Sequence, residues 1–439
     1  MNTKQIRQKI LDLAIRGELV PQDPTDEPAS MLLERIRAEK EQLIKDKKLK
    51  REKKDSQPID EAPFELPEGW VWCRLGDLLI NRDGERKPLS SSVRSKQIKK
   101  KYDYYGATGV IDKVDNYIFD EKLLLVGEDG ANLLSKVKPN AFFAEGKYWV
   151  NNHAHILDAT NKNLLDYVII VINTISLDNY ITGTAQPKLS QENLNKIPIP
   201  LPPLAEQYRI LQKVEQLLTI VDAIEQLQEQ LKALVKQTKN QVLNYAIAGK
   251  LTLQDPNDEP AEELLKRIGK TTTTATDTPY EKLPKGWACT QLQVLCQLLD
   301  GEKKEAVSLP YLDVAFLRGR TESNYKESGR YIPKNTHLIL VDGENSGEIF
   351  TTTTEGYQGS TLKILNISKE INEQYLFYVL KKEQQLFKES KTGSAIPHLN
   401  KKLFKELKVL LPPLAEQHRI VQKIESFFAS FDQIEKELA

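Results

Sequence analysis

The sequence is poor in the residues that build disulfide frameworks and metal sites. It has 3 cysteines and 5 histidines in 439 residues. An odd number of cysteines with no Cys-x-x-Cys spacing, here Cys73, Cys289 and Cys296, excludes a disulfide framework and a cysteine zinc site. His153 and His155 have no acidic cluster beside them in the sequence, so we expect no metal site there.

Long apolar runs and an excess of charge of one sign are also missing. The longest apolar run lies around Tyr167–Ile175, well short of the roughly 20 residues that span a bilayer. The polar start of the chain lacks the apolar stretch of a signal peptide, so we expect a cytoplasmic protein without membrane contact. Lys plus Arg number 62 and Asp plus Glu number 62, so any attraction to nucleic acid must come from local patches.

Motifs of catalysis are absent as well. The chain has no Gly-x-x-x-x-Gly-Lys-Ser/Thr phosphate loop, no Gly-x-Gly-x-x-Gly turn, no His-Glu-x-x-His helix and no Gly-x-Ser-x-Gly elbow. The Asn/Asp-Pro-Pro-Tyr/Phe tetrapeptide of amino-methyltransferases is missing too. We therefore expect a protein that is not an enzyme and that holds no metal or cofactor of its own.

Instead, the chain repeats itself, and such repeats fix architecture more firmly than local propensity does. One repeat pairs Ala14–Leu19 and Gln22–Ala29 with Ala246–Leu251 and Gln254–Ala261. Another pairs Leu66-Pro-Glu-Gly-Trp70 with Leu283-Pro-Lys-Gly-Trp287. The last pairs Leu201-Pro-Pro-Leu-Ala-Glu-Gln-Tyr-Arg-Ile210 with Leu411-Pro-Pro-Leu-Ala-Glu-Gln-His-Arg-Ile420, each preceded by a Gly-x-Ala-x-Pro-x-Leu turn, Gly183–Ser190 or Gly393–Asn400.

Each copy of the last repeat opens a long helix. A proline sits in the first turn, where it is tolerated, and a long stretch without Pro or Gly follows. Apolar residues then step alternately by four and three, which predicts a helix seam that needs a partner. The predicted seam residues are Ile210, Val214, Leu217, Val221 and Ile224 in the first copy and Ile420, Ile424, Phe427, Phe431 and Ile434 in the second, the first continuing through Val242 and Tyr245.

The register of the repeats predicts how the two ends of the chain are related. Ala439 is equivalent to Glu229 by the last repeat, and Met1 is equivalent to Ala233 by the first. We therefore expect a closed two-unit ring cut inside a helix, so that Asn2–Arg16 continues Pro413–Ala439 and the termini lie close together. The alternative is that residues 1–60 form an unrelated helical cap.

Two segments between the helical parts have a different character. Short apolar runs rich in Val, Ile, Thr and Tyr, such as Lys122–Val126, His155–Leu157, His337–Val341 and Thr361–Leu365, predict strands of two small mixed domains. The fold class we expect is mixed α/β (α+β) with a pseudo-two-fold repeat, two small domains separated by long antiparallel coiled-coil helices. The expected organisation is a helical segment at residues 1–65, a domain at 66–200, a long helix and linker at 201–282, a second domain at 283–410 and a helix at 411–439.

These motifs together resemble a known family. Two Leu-Pro-x-Gly-Trp starts, each followed by a variable domain, a Gly-x-Ala-x-Pro-x-Leu turn and Leu-Pro-Pro-Leu-Ala-Glu-Gln before a long helix, are similar to the specificity (S) subunit of type I restriction-modification systems. In the first variable domain, Tyr104–Gly109, Val126–Asn132 and Asn151–His155 also look like the family's target-recognition domains. The second domain keeps only Gly343–Gly347 and a looser strand pattern.

The resemblance implies a DNA reader without catalysis. Each target-recognition domain would recognise one half of a bipartite, asymmetric site on double-stranded DNA, and the helices would act as an antiparallel spacer. The family's S subunit binds two methyltransferase (M) subunits and further restriction (R) subunits. S-adenosylmethionine, ATP and Mg would then belong to those partners. A helix from Pro203 to Ala248 would run about 70 Å, which exceeds one turn of duplex.

The residues that would touch DNA are predicted from charge and position. Basic groups and amides bind phosphates, and polar side chains read base edges. The first domain offers Arg82, Arg86, Lys87, Arg94, Lys96, Lys99, Lys100, Lys101, Tyr104 and Tyr105. The repeated turns offer Thr184, Gln186, Lys188, Ser394 and His398, and the second domain offers Arg318, Arg320 and Lys326. The alternatives are a solvated loop for the first group and a purely architectural hinge for the turns.

Two other classes of function remain open. A stand-alone restriction or methylation enzyme requires catalytic motifs that the sequence lacks. A coiled-coil adaptor without DNA binding would show no salt-dependent attraction to DNA.

Overall fold

The computed structural model of the chain describes residues 2–49, 62–183, 185–269, 283–322, 324–393 and 397–438. These residues form two compact units, a first unit of Asn2–Leu227 and a second unit of Gln228–Ala439. The predicted meeting of the termini depends on Met1 and Ala439, which lie outside the described residues.

Among the residues that the structure describes, the first unit contains seven helices, two 3₁₀ turns and the beginning of an eighth helix. The helices are α1 Thr3–Arg16, α2 Ala29–Lys45, α3 Leu75–Leu78, α4 Ser91–Ser95, α5 Asn132–Ser135, α6 Asn163–Thr174, α7 Gln191–Lys196 and α8 Leu204–Ile247, with 3₁₀ turns at Asp83–Glu85 and Asp178–Tyr180. The strands are β1 Val71–Arg74, β2 Ile80–Asn81, β3 Tyr102–Gly106, β4 Gly109–Val114, β5 Phe119–Asp120, β6 Leu123–Gly127, β7 Ala141–Ala144, β8 Lys147–Val150, β9 Ala154–Asp158, β10 Ile181–Thr182, β11 Lys188–Leu189 and β12 Pro198–Leu201.

The second unit contains the end of α8 and a parallel set of elements. Its helices are α9 Ala261–Arg267, α10 Leu292–Leu295, α11 Val314–Leu317, α12 Glu373–Glu389, α13 Lys401–Glu406 and α14 Leu414–Leu438. Its strands are β13 Ala288–Gln291, β14 Cys296–Leu299, β15 Glu302–Leu312, β16 Tyr325–Ile332, β17 His337–Leu340, β18 Ile349–Thr351, β19 Gly356–Gln358, β20 Leu362–Ile367 and β21 Lys408–Leu411.

The two units have the same main sheet. Its order is β2-β9-β6-β7 in the first unit and β14-β20-β17-β18 in the second, and every pair in it is antiparallel. A smaller pair, β1-β12 or β13-β21, joins the start of each domain to the strand before the long helix. The mixed α/β class predicted from sequence is confirmed, and each predicted apolar run forms a strand of a main sheet.

Each unit also contains one antiparallel helix pair. In the first unit Arg7 of α1 binds Asp222 and Glu225 of α8, while Gln22, after the end of α1, reaches Glu206 at the start of α8. In the second unit Lys239 of α8 binds Asp432 and Glu435 of α14. The pairing places the amino-terminal end of one helix beside the carboxy-terminal end of the other. The heptads predicted a helical partner, and the antiparallel direction is the one that the resemblance implied.

Most of the predicted seam residues pack as expected. Ile210, Val214 and Val221 lie in the first unit's core and Ile420 and Ile424 in the second unit's. Partly buried Leu217 and Phe431 pack against these cores, and Ile224 and Ile434 are half-buried.

The seam differs from the prediction in two places. Phe427 is 36% exposed, and its neighbour Phe428 packs against the core instead. Tyr245 is 53% exposed, whereas Leu243 and Ala246 are buried. At Tyr245, five heptads after Ile210, the physical reason is that a straight helix drifts by about 20° per heptad, so the extrapolated seam turns away from its partner. Phe427 lies only one heptad after Ile420, and this drift does not account for its exposure.

A buried carboxylate joins the repeated motifs of the first unit. Glu206, only 1% exposed, accepts hydrogen bonds from Trp70 Nε1 at 3.0 Å and from Gln22 Nε2 at 3.1 Å. Three residues further along α8, Arg209 forms an ion pair with Asp26 at 2.6 Å. Burial raises the pKa of Glu206, and the bonds from Trp70 and Gln22 oppose that shift.

The second unit repeats this network residue for residue. Glu416 is fully buried and accepts from Trp287 Nε1 at 2.9 Å and from Gln254 Nε2 at 3.1 Å. Arg419 pairs with Asp258 at 2.6 Å. The sequence repeats are therefore the parts of one polar network, formed once in each unit.

Two glycines let the chain turn into this network. Gly17 and Gly249 end their helices in the left-handed region, with φ of 73° and 67°. A Cβ at either position would lie 2.5 Å from a ring carbon of Pro67 or Pro284. Both the backbone conformation and the lack of space therefore require glycine.

We predict that Glu206→Ala destabilises the first unit by about 1 to 3 kcal/mol, because it leaves the buried indole N–H of Trp70 without its acceptor, whereas the exposed Gln22 amide keeps its bond to the Gly17 carbonyl. Hydrogen exchange of the full chain measures this locally, and the β1-β12 amides should lose protection while those of β13-β21 keep it. The matched control is Glu215→Ala, an exposed glutamate on the same helix, which should change neither set. Equal exchange in the two variants would contradict a stabilising role for the buried carboxylate.

Candidate nucleic-acid interface

The predicted DNA contacts of the first domain lie in one basic segment, residues 82–105, between β2 and the end of β3. The segment passes through a 3₁₀ turn and the short helix α4, where the Ser90 side chain accepts from the Val93 amide. It is fixed to the domain by Tyr104, whose hydroxyl bonds to the backbone of Leu89. The loop therefore has a defined course over the domain.

The three arginines of the basic segment are bound to carboxylates of their own domain. Arg82 contacts Glu85 and Glu121 at 2.7 Å and Asp158 at 3.1 Å. Its guanidinium also lies over the Phe119 ring. These bonds engage the guanidinium nitrogens of Arg82, so they argue against its predicted contact with DNA.

Arg86 and Arg94 are used in the same way. Arg86 pairs with Glu128 at 2.5 Å and donates to the Ala154 carbonyl at 2.9 Å. Arg94 pairs with Asp112 at 2.9 Å and lies over the Tyr104 ring. Their side chains are only 16% and 19% exposed, so the geometry gives both a role in holding the segment.

Two aspartates of β4 and the following turn hold the lysine-rich end of the segment. Asp112 binds Arg94 and, at 3.1 Å, Lys100. Asp115 accepts from the backbone amides of Ile98 and Lys100. The arginine is the first cause that lowers the pKa of Asp112 to about 2. The carboxylates of this region are thus committed to the loop's own structure.

Four lysines of the basic segment have exposed side chains and no ion pair with a carboxylate in the described parts of the chain. They are Lys87, Lys96, Lys99 and Lys101. The Lys101 ammonium lies 5.5 Å from the centre of the Tyr102 ring. Because the neighbouring carboxylates are bound elsewhere, this surface keeps its positive charge and suits the phosphates of a duplex.

The two tyrosines of the prediction have different surroundings. Tyr104 is 1% exposed, so the structure argues against a contact between its side chain and DNA and makes it a core residue. Tyr105 is half-buried, stacked on Phe142 and edge-on to Tyr148. Its accessible edge remains a candidate contact.

The repeated Gly-x-Ala-x-Pro-x-Leu turns dock alike in the two units. Gly130 donates to the Pro187 carbonyl at 3.0 Å, and Gly343 donates to the Pro397 carbonyl at 2.8 Å. Lys188 bridges to Asp129 and His398 to Asp342 in the backbone, and the His398 ring contacts the Asp342 carboxylate at 2.7 Å. Gln186 is exposed, whereas Thr184 and Ser394 lie outside the described residues.

In the second unit the three predicted residues have different surroundings. Arg318 is bound to Glu348 and is 21% exposed, so it holds a loop. Arg320 is exposed. Lys326 lies on strand β16 with its ammonium 3.4 Å from the centre of the Tyr311 ring. Sequence reasoning missed Lys303 and Lys304, which are exposed on β15, because a polar run without apolar alternation resembles a loop.

One cluster among the described residues has the composition of a metal site. Ligand atoms of Asp83, Glu128 and His155 lie within 4.8 Å of one another. However, His155 Nδ1 contacts Asp83 at 2.6 Å, its Nε2 bonds to the Leu189 carbonyl at 2.8 Å, and Arg86 pairs with both carboxylates. The chemistry is that of a buried ion-pair cluster, since both ring nitrogens already have partners.

The histidine pair itself differs from the sequence expectation in two ways. His153 lies in the turn before β9 and is half exposed, whereas His155 on β9 is 1% exposed. Acidic residues do reach both rings, Asp129 to His153 and Asp83 to His155, because strands distant in sequence bring them there.

Within the described part of the chain, no helix has the length and apolar character needed to cross a membrane.

The fold and these surfaces define a duplicated recognition protein, with one repeated frame and a different exposed surface in each unit. The chain belongs to the type I restriction modification DNA specificity domain family, whose model matches residues 67–233 and 286–439. The two matches correspond to the two repeats in the chain.

The chain is similar over nearly its whole length to characterised relatives. It is 27% identical to the type I restriction enzyme EcoEI specificity subunit of Escherichia coli, with 99% of this chain and 90% of that protein aligned. It is also 27% identical to the EcoAI specificity subunit of Escherichia coli, over 98% of this chain and 90% of the relative.

Solved structures share its fold. The HsdS subunit from Thermoanaerobacter tengcongensis matches with a TM-score of 0.51 and 17% identity, covering 87% of this chain and 94% of the other. A structure from a study of complex assembly and conformational transition of the type I R-M system matches with a TM-score of 0.60 and 17% identity, covering 86% and 94%.

We predict that the Asp112 carboxyl titrates with a pKa of about 2 and that Arg94→Ala raises this value towards the ordinary range. The charged form is favoured by Arg94, so the stabilising contribution is present above the usual carboxyl pKa of about 4 and is lost as the pH falls through 2. Carboxyl chemical shifts followed by NMR measure both values. Lys100→Ala serves as the control and should produce a smaller rise; an unchanged pKa in Arg94→Ala would contradict the assignment.

Proposed function

We propose that this chain is the DNA sequence-recognition subunit of a type I restriction-modification complex, with each unit reading one half of a bipartite, asymmetric site. The observation that carries the proposal is the combination of a frame whose glutamate, tryptophan, glutamine, arginine and aspartate contacts are repeated in both units with exposed surfaces that differ between the units. A duplicated reader with identical surfaces would suit a symmetric target. Two different surfaces suit two different half-sites.

Phosphate binding in the first unit is assigned to its unpaired lysines. Lys87, Lys96, Lys99 and Lys101 are exposed and have no carboxylate partner in the described residues. Each lysine that neutralises a phosphate releases counterions, which gives affinity without sequence preference. Base recognition must then come from polar side chains on neighbouring loops and strands.

The long helix α8 is assigned the role of spacer. It contains 44 residues, which at 1.5 Å per residue corresponds to about 66 Å of continuous helix. Because a helix cannot be compressed without breaking its hydrogen bonds, its length would fix the number of base pairs between the two half-sites.

The chemistry of methylation and cleavage is assigned to partners. We propose that this chain contributes no catalytic group and no metal or cofactor. Two methyltransferase (M) subunits would supply the S-adenosylmethionine site, and restriction (R) subunits would supply the ATP and Mg sites. The repeated long helices are the proposed docking surface for these partners, and a cytoplasmic location fits a complex that acts on cellular DNA.

Neither rival function has a comparable observation in its favour. A stand-alone enzyme needs a catalytic constellation, and the cluster of Asp83, Glu128 and His155 is filled by its own ion pairs. A coiled-coil adaptor without DNA binding does not account for exposed lysines whose neighbouring carboxylates are all engaged.

The first prediction from this proposal concerns the triple variant Lys96→Ala, Lys99→Ala and Lys101→Ala. In the complex with its methyltransferase subunits, it should lower DNA affinity about 10-fold or more and reduce the slope of log affinity against log salt by about three, because roughly one counterion is released per phosphate contact. Filter binding over a salt series measures both.

The control variant removes the same charge from the same unit. Lys45, Lys47 and Lys48 are exposed at the end of α2, and their triple alanine variant should leave affinity and slope unchanged. Equal effects of the two variants would show non-specific attraction, and no salt dependence in the wild-type complex would favour the adaptor.

A second prediction concerns the spacer. One helical heptad inserted between Leu227 and Gln228 lengthens α8 by about 10 Å, close to the rise of three base pairs. The gap between the half-sites should grow by about three base pairs while both half-sites stay the same, as read by selection from random-sequence duplexes. Changed half-sites with an unchanged gap would refute the spacer role.

A further inference from the structure

The two domains can be compared strand by strand because their main sheets have the same order. Strands β2, β9, β6 and β7 correspond to β14, β20, β17 and β18. The register of the paired strands then shows which single residues of the two units are equivalent. Val126 pairs with His155 as Ile339 pairs with Lys363, so His155 and Lys363 are equivalent positions.

The last equivalent residue before the two domains begin to differ is an aspartate. Asp83 and Asp300 each follow the equivalent edge strand, β2 or β14. Asp83 contacts His155 at 2.6 Å, and Asp300 contacts Lys363 at 2.6 Å. The same carboxylate position thus contacts the same strand position, which is histidine in the first unit and lysine in the second.

After the segments that differ, two paired positions are again equivalent in the two domains. Phe119 of β5 lies opposite Tyr148 of β8, and Tyr331 of β16 lies opposite Tyr357 of β19. One further strand is common to both, since β3 and the end of β15 run parallel to β8 and β19. Residues 84–118 of the first unit and 301–330 of the second therefore occupy the same place in the fold.

Apart from the strand common to both, β3 in the first unit and the end of β15 in the second, these two segments have different structures. In the first unit the segment contains helix α4 and the β3-β4 hairpin. In the second unit it contains a two-stranded ribbon in which β15 pairs with β16 from Glu302↔Tyr331 to Pro310↔Tyr325, with an irregularity between Glu305 and Leu309. The frame is shared, and the segment inserted into it is not.

The hydroxyl of one buried tyrosine has different partners in the two units because the segment beside it differs. Tyr357, 1% exposed, donates to the Val307 carbonyl at 2.7 Å and so holds the ribbon at its irregularity. The equivalent Tyr148 is also 1% exposed, and its hydroxyl has no hydrogen-bond partner among the described residues. The first unit keeps the tyrosine of the frame but not the ribbon that the hydroxyl would hold.

The ribbon has the properties of an element that enters a DNA groove. All seven residues of β15 from Glu302 to Ser308 are exposed, and so are Tyr325–Ser328 and Arg330 on β16. A two-stranded ribbon exposed on both faces gains little stability from burial. The major groove of a duplex accepts such a ribbon, and lysine, serine and glutamate side chains can read base edges there.

The repeated turns belong instead to the frame. Both turns dock through the same backbone bonds, and Leu189 and Leu399 each donate at 2.8 Å to the strand they cover. An arrangement that is identical in both units cannot by itself distinguish two half-sites. This gives the backbone of the turns a positioning role, to which Lys188 and His398 add through their contacts with Glu128 and Asp342.

We propose that residues 84–118 of the first unit and 301–330 of the second are the segments that determine the half-site read by each unit, with the β15-β16 ribbon reading the second. The inference rests on the proposed DNA-recognition function and narrows it from a whole domain to one segment. The sheet, the helices and the repeated turn form a frame that is independent of sequence preference.

The test uses the full chain in complex with its methyltransferase subunits and a pool of random-sequence duplexes as the probe. Residues 301–330 are replaced by the corresponding segment of a relative that reads a different half-site. The expected result is that one selected half-site becomes that of the donor, while the other half-site and the gap stay the same. Retention of the original half-site in a complex that still binds would overturn the inference.

Point variants test the same inference if the chain with the replaced segment does not fold. Lys303→Ala and Ser328→Ala alter exposed ribbon side chains, and at least one should reduce discrimination at a single position of the second half-site by about 10-fold. His398→Lys installs the residue of the first unit's turn and should change neither half-site. Overturning results are a change of base preference in His398→Lys alone, or a uniform loss of affinity in the ribbon variants.

The same experiment separates failure of this inference from failure of the proposed function. A wild-type complex that selects no sequence from the pool contradicts the proposed function. A wild-type complex that selects a bipartite sequence, together with ribbon variants that select the same sequence equally well, contradicts only the inference about the segment.

Discussion

The architecture depends on a buried carboxylate at the start of each long helix. Glu206 and Glu416 accept a hydrogen bond from the indole of Trp70 or Trp287 and another from the amide of a glutamine that follows a helix end. Each carboxylate thereby joins three stretches of chain that are far apart in sequence. An unpaired carboxylate or indole would be costly inside the core, so the three stretches must meet in one arrangement. The domain lies in the chain between two of these stretches, so the network fixes how the domain is attached to the long helix.

This constraint explains how a domain can change its surface without changing its position. The frame contacts are repeated in both units to within about 0.1 Å for the two hydrogen bonds of each glutamate. The segments that carry exposed charge lie elsewhere in each domain. They begin after the edge strand of the main sheet, β2 or β14, and end before β5 in the first unit and near the end of β16 in the second. Evolution of a new target then requires replacement of a surface segment, while the network that orients the domain on the helix is kept.

Much of this arrangement could be predicted from the sequence. The repeats predicted two equivalent units, the short apolar runs became the strands of the main sheets, and the first turns of the heptad seam pack as predicted. These features depend on local periodicity and on identity between copies. The partners of single side chains could not be predicted where distant residues supply them. Arg82, Arg86 and Arg94 are part of a basic run in the sequence, and carboxylates from elsewhere in the domain bind them in the structure.

Other differences have the same origin. Tyr104 is part of an apparent aromatic and basic cluster in the sequence, but strand alternation turns it into the core. The seam at Tyr245 was extrapolated beyond the range over which a straight helix keeps its register. The β15-β16 ribbon was missed because it buries neither face and so lacks the period-two pattern of a strand.

The most direct test of the account is to map methylated adenines across the genome of cells that carry this chain and its methyltransferase subunit. The account predicts one motif with two unlike halves separated by a gap of constant length, and loss of that motif when the chain is deleted. A palindromic motif with identical halves, a contiguous motif without a gap, or methylation unaffected by the deletion would contradict it.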